Sequence, residues 1–261
     1  TVHATLEEAA EEVLDILGLY EKAYEEVLAV PVVRGNKTET EKFAGAAYTM
    51  SVEAYVRGSG RAVQAATSHQ LGQGFGTMFG IQYEDENGEK QTPFQNSWGM
   101  TTRALGVMCM VHGDDRGLVL PPKVSPTQVV LVPVPSAKGS ASLKELEAML
   151  QGTQRALEGC GVRCELDASP HHTAGWKYSY WELRGVPLRV EAGQQEFDGG
   201  KIRLVRRDTG EKTDVEVDKA TDAVPRLLET IQKDMYQRAK TERDANIRTA
   251  NTWEDFTEAL S

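Results

Sequence analysis

The sequence predicts an α/β protein in two parts: an α+β part with an antiparallel sheet flanked by helices, and a small α/β domain with a mixed sheet. Three observations predict this fold class. Strand patterns follow one another closely before residue 100, three prolines fall within residues 120–126, and strands alternate with helices after residue 126. We therefore place the first part at 1–120, a linker at 121–126, the second part at 127–235, and the start of a connection to a further C-terminal domain at 236–261.

The first part opens with an amphipathic helix over residues 5–28. Thr5 and Glu8 have the spacing of a capping box. Apolar residues recur along one stripe of this helix, which consists of Val13, Leu14, Leu17, Tyr20, Tyr24, Val27 and Leu28. The elements predicted next are strands at 30–35, 47–56 and 60–69, the last running into a turn, and a hairpin at 80–99 around Asn87-Gly88.

The second part alternates strands with helices. Its first strand is an apolar run, as expected for a strand buried on both faces. The predicted elements are a strand at 127–134, a helix at 142–161, strands at 162–167 and 185–193, a hairpin at 201–218 and a helix at 223–247.

Composition excludes some partners. The 261 residues carry a net charge of −10, which argues against a general nucleic-acid or membrane coat, and we expect neither DNA nor a membrane as partner. No apolar run reaches the length of a bilayer span. Three cysteines, an odd number, do not make a disulfide framework and indicate a cytoplasmic protein.

A zinc site is an alternative for two of these cysteines. Cys160 and Cys164, with His171 and His172 downstream, supply ligand types that zinc prefers. Their spacing is unusual for zinc, and Cys164 falls in a predicted strand. We therefore interpret both cysteines as ordinary thiols and expect no metal site in the chain.

Arg103 stands near the start of an apolar run. Gly99 is expected to end a strand, and Thr101 or Thr102 can cap the helix that follows, with Arg103 in its first turn. A helix N-terminus favours anions, and a guanidinium adds a forked donor for a phosphate. A salt bridge to a core carboxylate would explain the same residue equally well, and the two alternatives stay open on this stretch alone.

Polar side chains converge among small residues at 60–75. Gln64, Thr67, Ser68 and His69 lie among glycines and alanines, at a predicted strand-to-helix turn. Such a setting lets a ligand approach the backbone. Taken alone, His69 is more often a hydrogen-bonding histidine than a catalytic one.

Five stretches together resemble the prolyl-tRNA synthetases of eukaryotic and archaeal type. They are EKFAGAAYTMSVEAYV, GRAVQAATSHQLGQGF, FQNSWGMTTRALGVMCMVHGDDRGLVLPPKV, GWKYSYWELRGVPLRVEAG and VRRDTGEK, and they occur in order over nearly the whole chain. The third resembles motif 3 of class II aminoacyl-tRNA synthetases. The resemblance implies the C-terminal part of the class II antiparallel sheet, followed by an anticodon-binding domain.

The resemblance also implies roles for single residues. Arg103 would contact the γ-phosphate of ATP, and Gln64 and Thr67 would lie around the nucleotide, with Arg103, Gln64 and His69 as the catalytic set. The implied proline pocket consists of Phe43, His69, Trp98, Gly99, Thr101 and Thr102. Catalysis would then be positioning and charge stabilisation, with Mg²⁺ accompanying ATP and no protein nucleophile.

A basic stretch in the second part fits the implied anticodon domain. Residues 176–207 carry seven basic and four acidic residues, so their local charge is +3 within an acidic protein. Trp176, Tyr178, Tyr180 and Trp181 fit stacking with splayed bases, although at least one of the tryptophans is expected in the core. Glu182 and Arg189 match the family positions that read the proline anticodon.

The resemblance covers only part of a synthetase. The stretches matching motifs 1 and 2 are absent, so we expect a fragment that starts just after motif 2 and does not activate proline efficiently by itself. The implied substrates and partners are proline, ATP, the proline tRNA and a second copy of the chain. One alternative is an inactive tRNA-binding or regulatory module, and another is a synthetase for threonine, serine or glycine. The strings ATSHQLGQGF and NSWGMTTRALG favour proline.

Overall fold

The structure, a computed structural model, describes residues 1–135 and 142–260. The chain folds into two compact units. The first unit consists of Thr1–Glu25, Val30–Val107 and the residues from Tyr236 onward, and the second consists of Glu26–Ala29 and Met108–Met235. The segment boundaries at 120 and 126 that we proposed from the sequence both fall inside the second unit.

The described residues form helices and strands along the whole chain. The α-helices are α1 (Leu6–Lys22), α2 (Gly74–Phe79), α3 (Arg103–His112), α4 (Leu143–Gly159), α5 (Ala174–Leu183), α6 (Gln194–Asp198), α7 (Ala220–Ala245) and α8 (Trp253–Leu260). The strands are β1 (Val2–His3), β2 (Val32–Asn36), β3 (Tyr48–Val56), β4 (Arg61–Gly72), β5 (Tyr83–Glu84), β6 (Lys90–Gln91), β7 (Phe94–Gly99), β8 (Val129–Pro133), β9 (Cys164–Leu166), β10 (Leu188–Ala192), β11 (Lys201–Arg206) and β12 (Lys212–Glu216).

The first unit is built on an antiparallel sheet in the order β1-β7-β4-β3-β2. Helix α1 packs on one face of it. The buried Asn96 amide of β7 donates to the Ala9 oxygen of α1 at 2.8 Å, and the Tyr24 hydroxyl donates to the Ala65 oxygen of β4 at 2.9 Å. These bonds satisfy polar groups that would be costly to bury unpaired.

Helix α1 differs in two ways from the predicted helix over 5–28. It begins at Leu6 after the Thr5 cap, but from Ala23 to Val27 the chain forms a π-helical turn. Leu14 and Val27, placed on the buried stripe, are instead exposed. The wider π turn rotates the residues after Lys22 away from a strict 3.6-residue stripe.

Strand β4 is longer than predicted. It runs to Gly72, so Gln64, Thr67 and His69 lie inside a central strand and not at a strand-to-helix turn. Hydrogen-bond partners on both sides, β3 and β7, stabilise the extended backbone despite the small and polar side chains.

The second unit contains a mixed sheet in the order β12-β11-β10-β8-β9. Strand β8 pairs in parallel with both β9 and β10, whereas β10, β11 and β12 pair antiparallel. Residues Val129–Val132 of β8 are fully buried, as the apolar run predicts. An antiparallel sheet with helices in one unit and a mixed sheet in the other confirm the predicted fold class.

Helix α5 occupies a stretch for which no element was predicted. Its N-cap is Thr173, whose side chain accepts from the Trp176 amide. Within residues 1–135 and 142–260, no helix is both long enough and apolar enough to cross a bilayer.

Candidate functional site

Cross-strand pairing gathers several of the candidate residues on one face of the first sheet. His69 lies opposite Thr49 of β3 and Ser97 of β7, and Thr67 lies opposite Gly99. Directly opposed residues share a face of a sheet, as do residues two apart on one strand. The structure therefore brings Thr67, His69 and Gly99 together.

Two threonines hold the His69 ring. Its Nδ1 atom lies 2.8 Å from the Thr49 Oγ1, and its Nε2 atom lies 3.0 Å from the Thr67 Oγ1. Burial lowers the pKa of His69 below its usual value. A neutral imidazole has one donor and one acceptor nitrogen, and because the two threonines engage both, the ring is suited to forming a fixed wall of a pocket. Thr49 was not among the residues singled out from the sequence, although the alternation of β3 places it on the polar side of that strand.

Phe43 forms an apolar wall beside His69. Its main-chain N–H donates to the Thr49 Oγ1 at 3.2 Å, so the same threonine positions both residues. The Phe43 ring lies 5.4 Å from the His69 ring, measured between centroids, and 6.2 Å from the stacked Phe75 ring. Phe43 remains 49% exposed, which leaves aromatic surface available to a small ligand.

Trp98 lies on the other face of the sheet. It is opposite Ser68, one residue out of phase with Thr67 and His69, and shares its face with Asn96 on the side of helix α1. Of the two aromatic residues proposed for the proline pocket, the structure therefore brings Phe43 to His69 and does not bring Trp98.

Arg103 is the first residue of helix α3. Its main-chain N–H donates to the Thr101 Oγ1 at 3.3 Å, and the Leu105 N–H donates to the Thr102 oxygen. The guanidinium Nη1 donates to the Gln64 oxygen of β4 at 3.4 Å. Within the described part of the chain no carboxylate lies within 4.0 Å of this guanidinium, so the alternative of a core salt bridge is not what the structure shows.

Potential metal ligands do not gather in the described ranges. No group of three or more histidine, cysteine, aspartate or glutamate side chains has a geometry that could hold an ion there. Burial, with the Glu158 charge in addition, raises the pKa of the Cys164 thiol to about 12. That shift disfavours the thiolate that zinc requires.

A second cluster of candidate residues lies in the second unit. The Arg189 guanidinium donates to Glu191 at 2.8 Å (Nε) and to Glu182 at 3.1 Å (Nη1), and it covers the Tyr178 ring at 3.9 Å from the centroid. Burial and the Glu191 charge raise the pKa of Tyr178 to about 12, so its hydroxyl stays neutral. Glu191, which was not a candidate from the sequence, lies two residues after Arg189 and so on the same face of β10.

The aromatic residues of helix α5 divide between core and surface. Trp181 is buried against Val130, Val132 and Val186, and its Nε1 donates to the Asp167 carboxylate at 2.9 Å. Trp176 is exposed and stacks between His172 and Tyr180, at 3.6 and 5.0 Å between ring centroids. The expectation that at least one tryptophan belongs to the core is thus confirmed for Trp181.

Comparisons with known proteins agree over the whole chain. A family model described as an anticodon binding domain matches residues 128–227. The chain is 49% identical to the cytoplasmic proline–tRNA ligase of Arabidopsis thaliana, covering all of this chain and 49% of that protein. It is 48% identical to the proline–tRNA ligase of Rubrobacter xylanophilus, covering all of this chain and 54% of that protein.

A solved structure shows the same fold. The crystal structure of prolyl-tRNA synthetase from Cryptosporidium parvum complexed with L-proline and AMP matches with a TM-score of 0.93 at 42% identity, covering 99% of this chain and 55% of that one. The chain thus spans about half the length of the relatives it matches. Over its whole length the chain is thus similar in sequence and in fold to the corresponding half of prolyl-tRNA synthetases.

Proposed function

We propose that the chain carries part of the active site and the anticodon-binding domain of an ATP-dependent proline–tRNA ligase. The observation that carries this proposal is the Arg103 guanidinium, which stands at the start of helix α3 and donates to the Gln64 oxygen of β4, without a carboxylate partner in the described residues. A permanent cation in that position is free to bind a phosphate.

The nucleotide would lie along the ends of β4 and β7. Arg103 would contact the γ-phosphate, and Gln64 and Thr67 would flank the nucleotide. Mg²⁺ would arrive with ATP and be held mainly by phosphate oxygens and water, because the described residues supply no cluster of carboxylates for it. The anion-binding groups would stabilise charge that builds up on the phosphates during the reaction.

The proline would occupy the pocket beside Phe43 and His69. The ring of Phe43 supplies apolar surface for a pyrrolidine, and Gly99, with open space where a side chain would be, leaves the floor of the pocket free. Thr101 and Thr102 would border the pocket, whereas Trp98, on the opposite face of the sheet, would not line it. A pocket for so small a ligand discriminates only modestly by packing, so the hydrogen bonds of His69 matter for specificity.

The reaction would proceed in two steps without a covalent enzyme intermediate. The proline carboxylate attacks the α-phosphate of ATP, which forms prolyl-adenylate and releases pyrophosphate. A hydroxyl of the terminal ribose of the tRNA then attacks the prolyl carbonyl carbon, and AMP leaves. The residues described here would position the reactants and stabilise charge, which is enough for a large acceleration when the geometry is fixed.

Glu182 and Arg189 would read the anticodon. Proline codons begin with two cytidines, so the anticodon bases that pair with them are guanines. A carboxylate accepts hydrogen bonds from the N1–H and N2–H groups of guanine, and a guanidinium donates to its O6 and N7. The two groups are hydrogen-bonded to each other at 3.1 Å, so one base would contact both from the same side, or two adjacent bases would contact one group each.

A cytoplasmic homodimer is part of the proposal. The Arabidopsis relative is named as cytoplasmic, and free cysteines suit a reducing compartment. The homodimer is proposed from the family resemblance alone, and a measurement of the protein's molecular mass in solution tests it.

ATP–pyrophosphate exchange on the full-length protein tests the function. Each amino acid is offered in turn, and the Arg103→Ala variant is compared with Arg61→Ala. Arg61 is an exposed arginine at the start of β4, the strand whose Gln64 oxygen the Arg103 guanidinium contacts. We expect exchange with proline alone, lowered about 100-fold or more by Arg103→Ala and unchanged by Arg61→Ala. Exchange with a different amino acid, or equal effects of the two variants, would contradict the proposal.

A further inference from the structure

The segment after helix α3 packs closely against the end of helix α5 that carries Glu182. The Leu118 N–H donates to the Leu183 oxygen, and the Leu120 N–H donates to the Gly185 oxygen, both at 3.1 Å. A Cβ at Gly117 would lie 2.7 Å from the Leu183 oxygen, and one at Gly185 would lie 2.7 Å from Leu118. Side chains are thus excluded on both sides of this contact, and the two main chains are fixed against each other.

Arg207 joins the same two segments. Its guanidinium, which is almost fully buried, donates to both oxygens of the Asp114 carboxylate at 2.6 and 2.7 Å. Its Nε donates to the main-chain oxygen of Glu182 at 3.0 Å. Arg207 therefore fixes the backbone from which the Glu182 side chain projects.

Asp114 fixes Arg207 in turn. The Arg207 guanidinium, against the opposing effect of burial, holds the pKa of the Asp114 carboxyl well below its usual range, so the pair stays ionised at neutral pH. Asp114 also accepts from the Arg116 N–H at 2.9 Å, and the Arg116 guanidinium lies 3.9 Å from the Glu182 carboxylate. A bidentate pair of this kind constrains the guanidinium plane as well as its distance.

We infer that Arg207 and Asp114 are positioning residues that determine anticodon specificity by fixing Glu182. The inference rests on the proposed function of Glu182 as a reader of the anticodon. A carboxylate that reads a base must be held within about 0.5 Å of its productive position. Most of the affinity for tRNA comes from phosphate contacts, which do not depend on this carboxylate. Loss of the Arg207–Asp114 pair therefore lowers discrimination between anticodons more than it lowers affinity.

Arg206 provides a matched control. It precedes Arg207 directly, is also buried, and makes a bidentate pair with Asp208 at 2.9 and 3.0 Å and a further bond to Asp234 at 2.8 Å. The bonds found for Arg206 do not include one to Glu182. Arg206→Lys thus perturbs a comparable ion pair without removing a contact to Glu182.

The test measures dissociation constants of this chain for two transcripts of a proline tRNA, one with its own anticodon and one with the two guanines replaced. For Arg207→Lys and for Asp114→Asn we expect the ratio of the two constants to fall about fivefold or more, with the constant for the altered transcript changed less than twofold. Arg206→Lys should lower the melting temperature but leave the ratio unchanged. Circular dichroism checks that each variant is folded.

A double-mutant cycle separates positioning from general destabilisation. If Arg207 acts through Glu182, then Arg207→Lys has no further effect on the ratio once Glu182→Ala is present. An unchanged ratio in both folded single variants, or an equal loss in Arg206→Lys, would overturn the inference. Absence of any anticodon preference in the wild-type chain would instead refute the proposed role of Glu182 itself.

Discussion

The guanidinium of Arg103 lies 3.4 Å from the main-chain oxygen of Gln64, and the described residues place no carboxylate within 4.0 Å of it. Arg207, by contrast, is buried with both Asp114 oxygens bound to it. The first arginine contributes a free donor to a surface, and the second contributes a fixed contact to the core. This difference predicts opposite consequences for stability and for ligand binding.

Arg103→Ala should leave the stability of the chain nearly unchanged. The residue is exposed and makes one long bond to a carbonyl, so we expect a change in the free energy of unfolding within about 0.5 kcal/mol. Arg207→Ala should lose about 3 kcal/mol, the lower end for breaking a buried pair, because Asp114 is partly exposed. Urea unfolding of both variants measures the two values. A large loss in Arg103→Ala would show that this residue is structural.

His69 should make stability depend on pH near neutrality. Burial lowers its pKa in the folded state below the usual 6.5, so the unfolded chain binds more protons and stability falls as the pH drops below 6.5. In His69→Asn that part of the dependence should disappear. Urea unfolding at pH 5.5 and 7.5 measures it, with His171→Asn, at an exposed histidine, as the control. The same slope in wild type and His69→Asn would contradict the prediction.

The sequence predicted the strands of the first sheet well where alternation was strict. Strand β3 runs from Tyr48 to Val56, inside the predicted range of 47–56, although a register shift between Val52 and Glu53 interrupts its alternation. Strand β4 was predicted to run into a turn at His69, because polar residues stand among small ones there, whereas the strand continues to Gly72. The His69 ring is held across the sheet by Thr49 and along its own strand by Thr67. A partner on a neighbouring strand cannot be read from one segment.

Helix α5 shows a second limit. The residues WKYSY, from Trp176 to Tyr180, alternate aromatic and polar side chains, as a strand does, and aromatic residues favour strands. A tertiary contact decides otherwise. Lys177 and Trp181, four residues apart, both bind Asp167 from one face of a helix.

The resemblance of the motifs was enough to name candidate residues from the sequence. The residues that contact and position them, such as Thr49, Glu191 and Arg207, could be identified only in the structure.

The cysteines should differ in reactivity towards a thiol reagent. Cys160 is exposed, whereas burial and the nearby Glu158 raise the pKa of Cys164 to about 12. Because the thiolate is the reactive form, we expect rapid modification of Cys160 at pH 8 and modification of Cys164 only on unfolding. Mass mapping of the native chain distinguishes the sites, and Cys160→Ser should abolish the rapid phase. If the two cysteines shared a zinc ion, both would be protected until a chelator was added.

Gly185→Ala should cost more stability than Gly210→Ala. Both glycines have a φ of +74°, which costs an alanine about 1 kcal/mol wherever it occurs. A Cβ at Gly210 meets nothing within 4 Å, whereas one at Gly185 would lie 2.7 Å from Leu118. The shared φ cancels in the comparison, so the difference in the free energy of unfolding reports the close approach itself, and overpacking of this kind costs about 1–3 kcal/mol more. Urea unfolding of the two variants gives this difference. Equal losses would mean that the Leu118 segment moves aside at little cost, and the end of α5 would then be fixed mainly by Arg207 and Asp114.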